Sequence, residues 1–199
     1  HQVDVFIHSW DTQFNKEVEE LYRPKLCVFE QSKFTKEHDE LYGKFFDPKI
    51  HRPWPPRNVL SNFYSIYESN RLRTQYENTY NIKYDWIVRS RFDYGLNKII
   101  QFDELQKGIL YIPNRDTKDP CDQFAISDSD TMNLYSDTFN HIDEYHENGK
   151  WMLGEHLLDG HLKKFKFNIV RMDMNPIIKG ISLAHGNLLR DDFTYWYNV

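Results

Sequence analysis

Apolar positions along the chain fall in short runs between longer polar stretches, and the period of each run predicts an element. Val3, Val5, Phe6 and Ile7 lead into His8 as a short apolar run, which predicts a buried strand. Trp10-Asp11-Thr12 then turns the chain. Over 14–22, Phe14, Val18 and Leu21 share one face at helical spacing, and Arg23-Pro24 stops that helix. Leu26-Cys27-Val28-Phe29 is a second apolar run. Strand, helix and strand in so few residues predict a βαβ unit and a parallel pairing.

The stretch 31–57 is polar and ends in Pro53-Trp54-Pro55-Pro56, which predicts a helix followed by a loop or lid. Over 60–80, Leu60, Phe63 and Tyr67 lie on one helical face, with no Gly or Pro to interrupt them. Tyr84-Asp85-Trp86-Ile87-Val88 predicts a strand running into Arg89-Ser90-Arg91-Phe92-Asp93. Ile109 to Pro113 is another strand. After a polar loop over 114–120, Asp122 to Ile126 is strand-like again, and Ser127-Asp128 caps a helix over 129–139. A further helix is predicted over 155–163. Phe165, Phe167 and Ile169 alternate with polar residues as a half-buried strand does, and 177–184 is the last predicted strand. The pattern is that of one α/β domain spanning 1–199, with a mixed central sheet and no repeat or internal boundary. Because the chain opens almost directly on a core strand, the natural chain is expected to begin earlier, with the first strand of the fold ahead of this one.

Composition adds constraints. The 199 residues suffice for a sizeable core, and 40% hydrophobic with 28% charged is ordinary globular usage. Aromatic content is high at 16%. Such side chains fill cores, and they also suit a site that stacks rings and bonds hydroxyls. The net charge of −5 offers no basic field for nucleic acid. No apolar run reaches membrane-spanning length. Cys27 and Cys121 lie far apart without metal-type spacing, so a reducing, cytoplasmic setting is the expectation.

Candidate chemistry concentrates in 84–93. A strand there delivers Arg89, Arg91 and Asp93 toward its carboxyl end, where ligands bind in open α/β sheets. Arginine forks match phosphate oxygens, and a carboxylate can hold a divalent cation beside a diphosphate. If the strand continues, the alternation turns all three side chains to one side. The same residues also fit a surface ion-pair ladder. His8 fits packing at a strand end or a catalytic role. His156 and His161 are five apart, which does not place two zinc ligands on one helix face. There is no phosphate-binding glycine loop, no Gly-x-Ser-x-Gly elbow and no Cys/His catalytic spacing.

Several segments taken together resemble a known group. Asp4-Val5-Phe6-Ile7-His8-Ser9-Trp10-Asp11 is similar to a segment near the start of many bacterial and viral polysaccharide glycosyltransferases. Tyr64-Ser65-Ile66-Tyr67 with Asn70 follows, then Tyr84-Asp85 and Arg89-x-Arg91-x-Asp93, then Asp122-Gln123-Phe124-Ala125-Ile126, then Gly154-Glu155 before an apolar helix. In order and spacing these resemble the capsule and lipopolysaccharide glycosyltransferases of bacteria and large DNA viruses, which have a GT-A-like, Rossmann-type nucleotide-sugar-binding fold. The resemblance covers about residues 3–163.

That resemblance implies a nucleotide-sugar donor and a glycan acceptor. It implies that Arg89, Arg91, Asp93 and Gln123 bind the donor, and that Asp122 and Glu155 serve catalysis, with Glu155 the general base. Mn²⁺ or Mg²⁺ would be the cofactor, held by Asp93, with His185 a late ligand. One departure touches the metal: Arg91 stands where the group's carboxylate motif has its first aspartate. A non-catalytic carbohydrate-binding domain of the same fold, or a metal-dependent phosphohydrolase or nucleotidyltransferase, would use the same residues differently.

Overall fold

The computed structural model describes residues 2–43, 55–94, 96, 99–115 and 118–173. The predicted βαβ unit is present. β1 (Phe6–Ser9) and β2 (Leu26–Phe29) pair in parallel, with Phe6 opposite Leu26 and Ser9 opposite Phe29, and α1 (Asn15–Tyr22) crosses between them. α1 ends on Arg23 in the left-handed conformation just ahead of Pro24, so the expected stop is observed. In the polar stretch that follows, the described residues include a short helix, α2 (Lys36–Leu41).

α3 (Pro56–Tyr80) is the spine of the molecule, about 37 Å long at 1.5 Å per residue. It begins one turn earlier than its apolar pattern, because Pro55-Pro56 supplies a ready-made first turn whose missing N–H costs nothing there. Leu60, Phe63 and Ile66 are buried along it, and Asn81 closes it in the left-handed conformation.

The second sheet has the order β3-β5-β4-β6, built from β3 (Ile87–Ser90), β4 (Ile109–Pro113), β5 (Phe124–Ser127) and β6 (Asn168–Met172). β5 runs antiparallel to both β3 and β4, whereas β4 and β6 are parallel. The sheet is therefore mixed, and β3, β4 and β6 end on one rim. Its two faces cover separate cores, as strand alternation requires. Leu110, Ile112 and Ala125 face a core with Phe63, Tyr135, Leu157 and Leu158. Tyr111, Phe124 and Ile126 face a second one with Tyr94 and Trp86.

Together with α3, the described helices α4 (Ser129–Ser136), α5 (Ile142–Glu147) and α6 (Gly154–Lys164) cover the first core. Asp128 caps α4 by accepting from the Thr131 N–H at 3.0 Å, as its position predicts. The helix expected over 129–139 tightens to a 3₁₀ turn over Asp137–His141. His161 is fully buried. Its Nδ1 faces the Tyr145 hydroxyl at 2.7 Å and its Nε2 faces the Leu134 carbonyl at 2.7 Å. It therefore serves the core. The strand expected over 177–184 lies outside the described residues. No helix among those described is long and apolar enough to cross a membrane.

Candidate functional site

The strand carrying the expected arginines is shorter and later than its sequence pattern. Glu77 Oε1 captures the Tyr84 N–H at 2.9 Å and Asp4 accepts from the Tyr84 hydroxyl at 2.7 Å, so pairing with β5 begins only at Ile87. The strand then ends at Ser90. The Arg91 N–H reaches the Gln123 carbonyl at 3.2 Å, and the chain turns through Phe92 and Asp93 with Tyr94 N–H on the Arg91 carbonyl at 3.2 Å. Strand alternation thus does not extend to Asp93. The turn folds Asp93 back on Arg91, whose Nε and Nη2 donate to Oδ1 at 2.8 Å and Oδ2 at 2.6 Å.

Arg89 points to a different set of partners. Its Nη1 donates to the Asp122 carbonyl and its Nη2 to Asn62 Oδ1 at 3.3 Å. Asn62, from the second turn of α3, donates in turn to Asp122 Oδ2 at 2.9 Å. A third arginine, Arg115, follows β4. Its Nη1 lies 3.3 Å from Glu155 Oε1 and its Nη2 lies 3.2 Å from Gln123 Oε1. Asp122 and Gln123 precede β5, and Glu155 stands in the first turn of α6. The structure thus brings Arg89, Arg91, Asp93, Asp122, Gln123 and Glu155 to the rim where β3 and β4 end. His185 lies outside the described residues.

Three guanidinium groups face three carboxylates here, so formal charge cancels. Partial burial opposes the charge on Arg91, but the bonds to Asp93, its charge and that of Asp122 hold its pKa above the ordinary value. Asp93 is bonded to Arg91, and the Arg91 N–H is bonded to the carbonyl of Gln123, the neighbour of Asp122, so the two carboxylates belong to the same rim. Burial pushes the Cys121 thiol up, which keeps it protonated beside them, and the Tyr94 hydroxyl is pushed up to about 12, again by burial.

The second parallel rim meets this one on α3. Trp10, just past β1, donates to the Ser61 carbonyl at 3.2 Å and stacks on Tyr64 with ring centroids 5.3 Å apart. Lys33 Nζ lies 3.4 Å from the centre of the Tyr64 ring. His8 is buried between Ser65 Oγ at 3.0 Å and Glu30 Oε1 at 3.1 Å, and burial outweighs Glu30 to lower its pKa. Ser61 and Asn62 are neighbours, so one turn of α3 joins the aromatic corner to the arginines. A shallow polar recess between α3 and α4, which includes Asn70, Asn133 and Ser136, lies further along α3 than these groups.

Among the described residues no three His, Cys, Asp or Glu side chains converge as metal ligands, and both Asp93 oxygens are engaged by Arg91. What the rim offers is anion recognition by arginine, proton acceptance by Glu155 and hydrogen bonds for hydroxyl groups. Sequence reasoning missed Asn62 and Arg115. Arg115 was visible only as a cation in a polar loop, and Asn62 as a polar neighbour of buried Phe63. No family model matches the chain, and no curated protein or solved structure matches it either.

Proposed function

We propose that this chain is a glycosyltransferase with a GT-A-like fold, moving a sugar from a nucleoside diphosphate donor to a hydroxyl of a glycan acceptor. The observation that carries the reading is the convergence of Arg89, Arg91 and Arg115 with Asp122 and Glu155 at the carboxyl rim of a mixed sheet. In the reaction, the acceptor oxygen bonds to the anomeric carbon while the bond from that carbon to the diphosphate oxygen breaks. The electron pair leaves with the nucleoside diphosphate, and the acceptor proton passes to Glu155. Arg89 and Arg91 lower the cost of charge building on the leaving group, and Asp122 and Gln123 face the transferred sugar or the acceptor.

A divalent cation, Mn²⁺ or Mg²⁺, would be held by Asp93 together with the donor's own phosphate oxygens and would neutralise the diphosphate. That arrangement requires Arg91 to release Asp93. The free thiols of Cys27 and Cys121 support a reducing, cytoplasmic setting for the reaction.

The test is a thermal-shift screen with UDP-glucose, UDP-galactose, UDP-N-acetylglucosamine and GDP-mannose, each with Mn²⁺ and with chelator, followed by assay of nucleoside diphosphate release. A donor at a hundred times its Kd stabilises by about 2.7 kcal/mol, which is roughly 5–10 °C for a chain of this size. A shift with turnover supports the reading. Turnover falling roughly 100-fold in Glu155→Gln, with the shift intact, supports Glu155 as the base. A shift without turnover favours a non-catalytic carbohydrate-binding domain, release of phosphate or pyrophosphate favours hydrolase or nucleotidyltransferase chemistry, and absence of both responses overturns the reading.

A further inference from the structure

Arg115 belongs to none of the segments that carry the resemblance, yet it joins two of the side chains they contain. Its Nη1 and Nη2 reach Glu155 on α6 and Gln123 ahead of β5 at 3.3 and 3.2 Å. The approach is fixed from below, because the preceding residue ties β4 to the end of β6. The Asn114 N–H donates to the Met172 carbonyl at 2.7 Å, and Asn114 Nδ2 donates to Asp173 Oδ1 at 2.8 Å. The pair is only partly shielded, with side-chain exposures of 26% for Arg115 and 29% for Glu155. Arg115 holds Oε1 of Glu155, and among the described residues nothing bonds Oε2.

A glutamate in the first turn of a helix has several open rotamers, and ordering such a side chain costs conformational entropy. A planar guanidinium with two acceptors held at fixed angles removes that freedom before substrate arrives. Resting on the glycosyl-transfer reading, we propose that Arg115 is a positioning residue. It clamps Glu155 through Oε1, leaves Oε2 aimed at the acceptor hydroxyl, and sets the Gln123 amide beside it. The donor is held by the other two arginines, so the effect of Arg115 falls on the chemical step.

The experiment compares Arg115→Ala, Arg115→Lys and wild type, using whichever nucleotide sugar of the panel the wild type turns over. The expected result for Arg115→Ala is kcat lowered roughly 10- to 100-fold with donor KM within about twofold. Arg115→Lys restores part of kcat, and so does guanidinium ion at millimolar concentration added to Arg115→Ala. A donor KM raised tenfold or more at unchanged kcat would show that Arg115 binds the donor anion instead. Unchanged kcat and KM would also overturn the proposal. A second readout needs no turnover. In ¹⁵N–¹H spectra, the Gln123 side-chain amide, assigned by its loss in Gln123→Glu, shifts in Arg115→Ala if the bridge exists in solution. An unmoved amide refutes the bridge even where glycosyl transfer is confirmed. A moved amide with no turnover of any donor refutes the glycosyl-transfer reading and leaves the bridge standing.

Discussion

Gly154→Ala measures how closely α6 is docked against the carboxylate rim. Gly154 is the buried first residue of α6, and a Cβ added there lies 2.8 Å from Asp122 Oδ2 and 3.6 Å from its Cγ. A relaxed contact needs about 3.4 Å, so the oxygen must retreat by about 0.6 Å. The end of a free carboxylate does this cheaply. Here the same oxygen accepts from Asn62 Nδ2 at 2.9 Å, and Asn62 also accepts from Arg89. The retreat stretches the Asn62 bond to about 3.5 Å, the limit of a useful hydrogen bond.

Losing that bond costs about 0.5–1.5 kcal/mol, and residual crowding adds about 1 kcal/mol. Alanine's helix propensity returns at most about 1 kcal/mol, and less at a first position. The expected result is net destabilisation of about 1 kcal/mol, a Tm lowered by about 2–4 °C. Asp122→Ala removes the obstacle, so in that background Gly154→Ala is neutral or stabilising. The coupling energy between the two sites is then about 1–2 kcal/mol. Urea unfolding of the four proteins reads it directly. Equal effects of Gly154→Ala in both backgrounds, or a more stable single mutant, refute the close approach.

Three other outcomes follow from the same geometry. With UDP as probe, Asp93→Asn binds about 3- to 10-fold more tightly than wild type in chelator, because Arg91 no longer shares its fork with a carboxylate. If Asp93 instead holds a cation, wild type gains affinity with Mn²⁺ and the mutant loses that gain, and unchanged UDP affinity in both Arg89→Ala and Arg91→Ala removes this segment from the donor site. Burial lowers the His161 pKa from 6.5 to about 4, with the Leu134 carbonyl partly opposing it, and His8 is shifted the same way. The unfolded chain therefore binds more protons in this window. Stability is full above pH 6.5 and falls as pH drops toward 4, and His161→Phe shows a shallower fall in urea titrations from pH 7 to 4.5. Arg73→Ala destabilises by about 3 kcal/mol or more, since it strands Glu77 in the interior, whereas Arg73→Met with Glu77→Leu costs clearly less. Equal losses would show that the charges do not depend on each other.

Local signals were legible where one stretch of chain decides the outcome. The apolar runs at β1 and β2, the Pro24 stop and the Asp128 cap all act within a few residues, and the structure has each of them. Boundaries failed where a distant group intervened. Tyr84 looks like strand, but its N–H and hydroxyl are taken by Glu77 and Asp4, which delays β3 to Ile87. α5 was missed because its inward face has only Ile142 and Tyr145, too few positions to establish a period. The site shows the same division. Arg89, Arg91 and Asp93 were singled out by composition at a strand end, but their mutual geometry was not readable. Asn62 and Arg115 gain meaning only once α3, β4 and α6 are brought together.

Two arginine–carboxylate pairs in this chain show why burial, rather than pairing, separates structural from exchangeable charge. Arg73 and Glu77 have side-chain exposures of 3% and 8% and lie 2.5 Å apart, with Ser129 bonded to both. Breaking that pair leaves a charge in the interior, so it is fixed. Arg91 and Asp93 have exposures of 34% and 32%, and each retains water when the other leaves. Such a pair contributes modestly, on the order of 1 kcal/mol, which an incoming dianion can replace. The rim as a whole is neutral, three arginines against three carboxylates. On the proposed reading, a diphosphate with about two further negative charges would have to displace these pairings or bring a cation with it. The half-exposed pairs at the rim are cheap to displace in this way, and the Arg73 pair is not. That difference fits the proposed anion recognition at Arg91, whereas Arg73 holds α3 against Ser129 and Asn133 of α4.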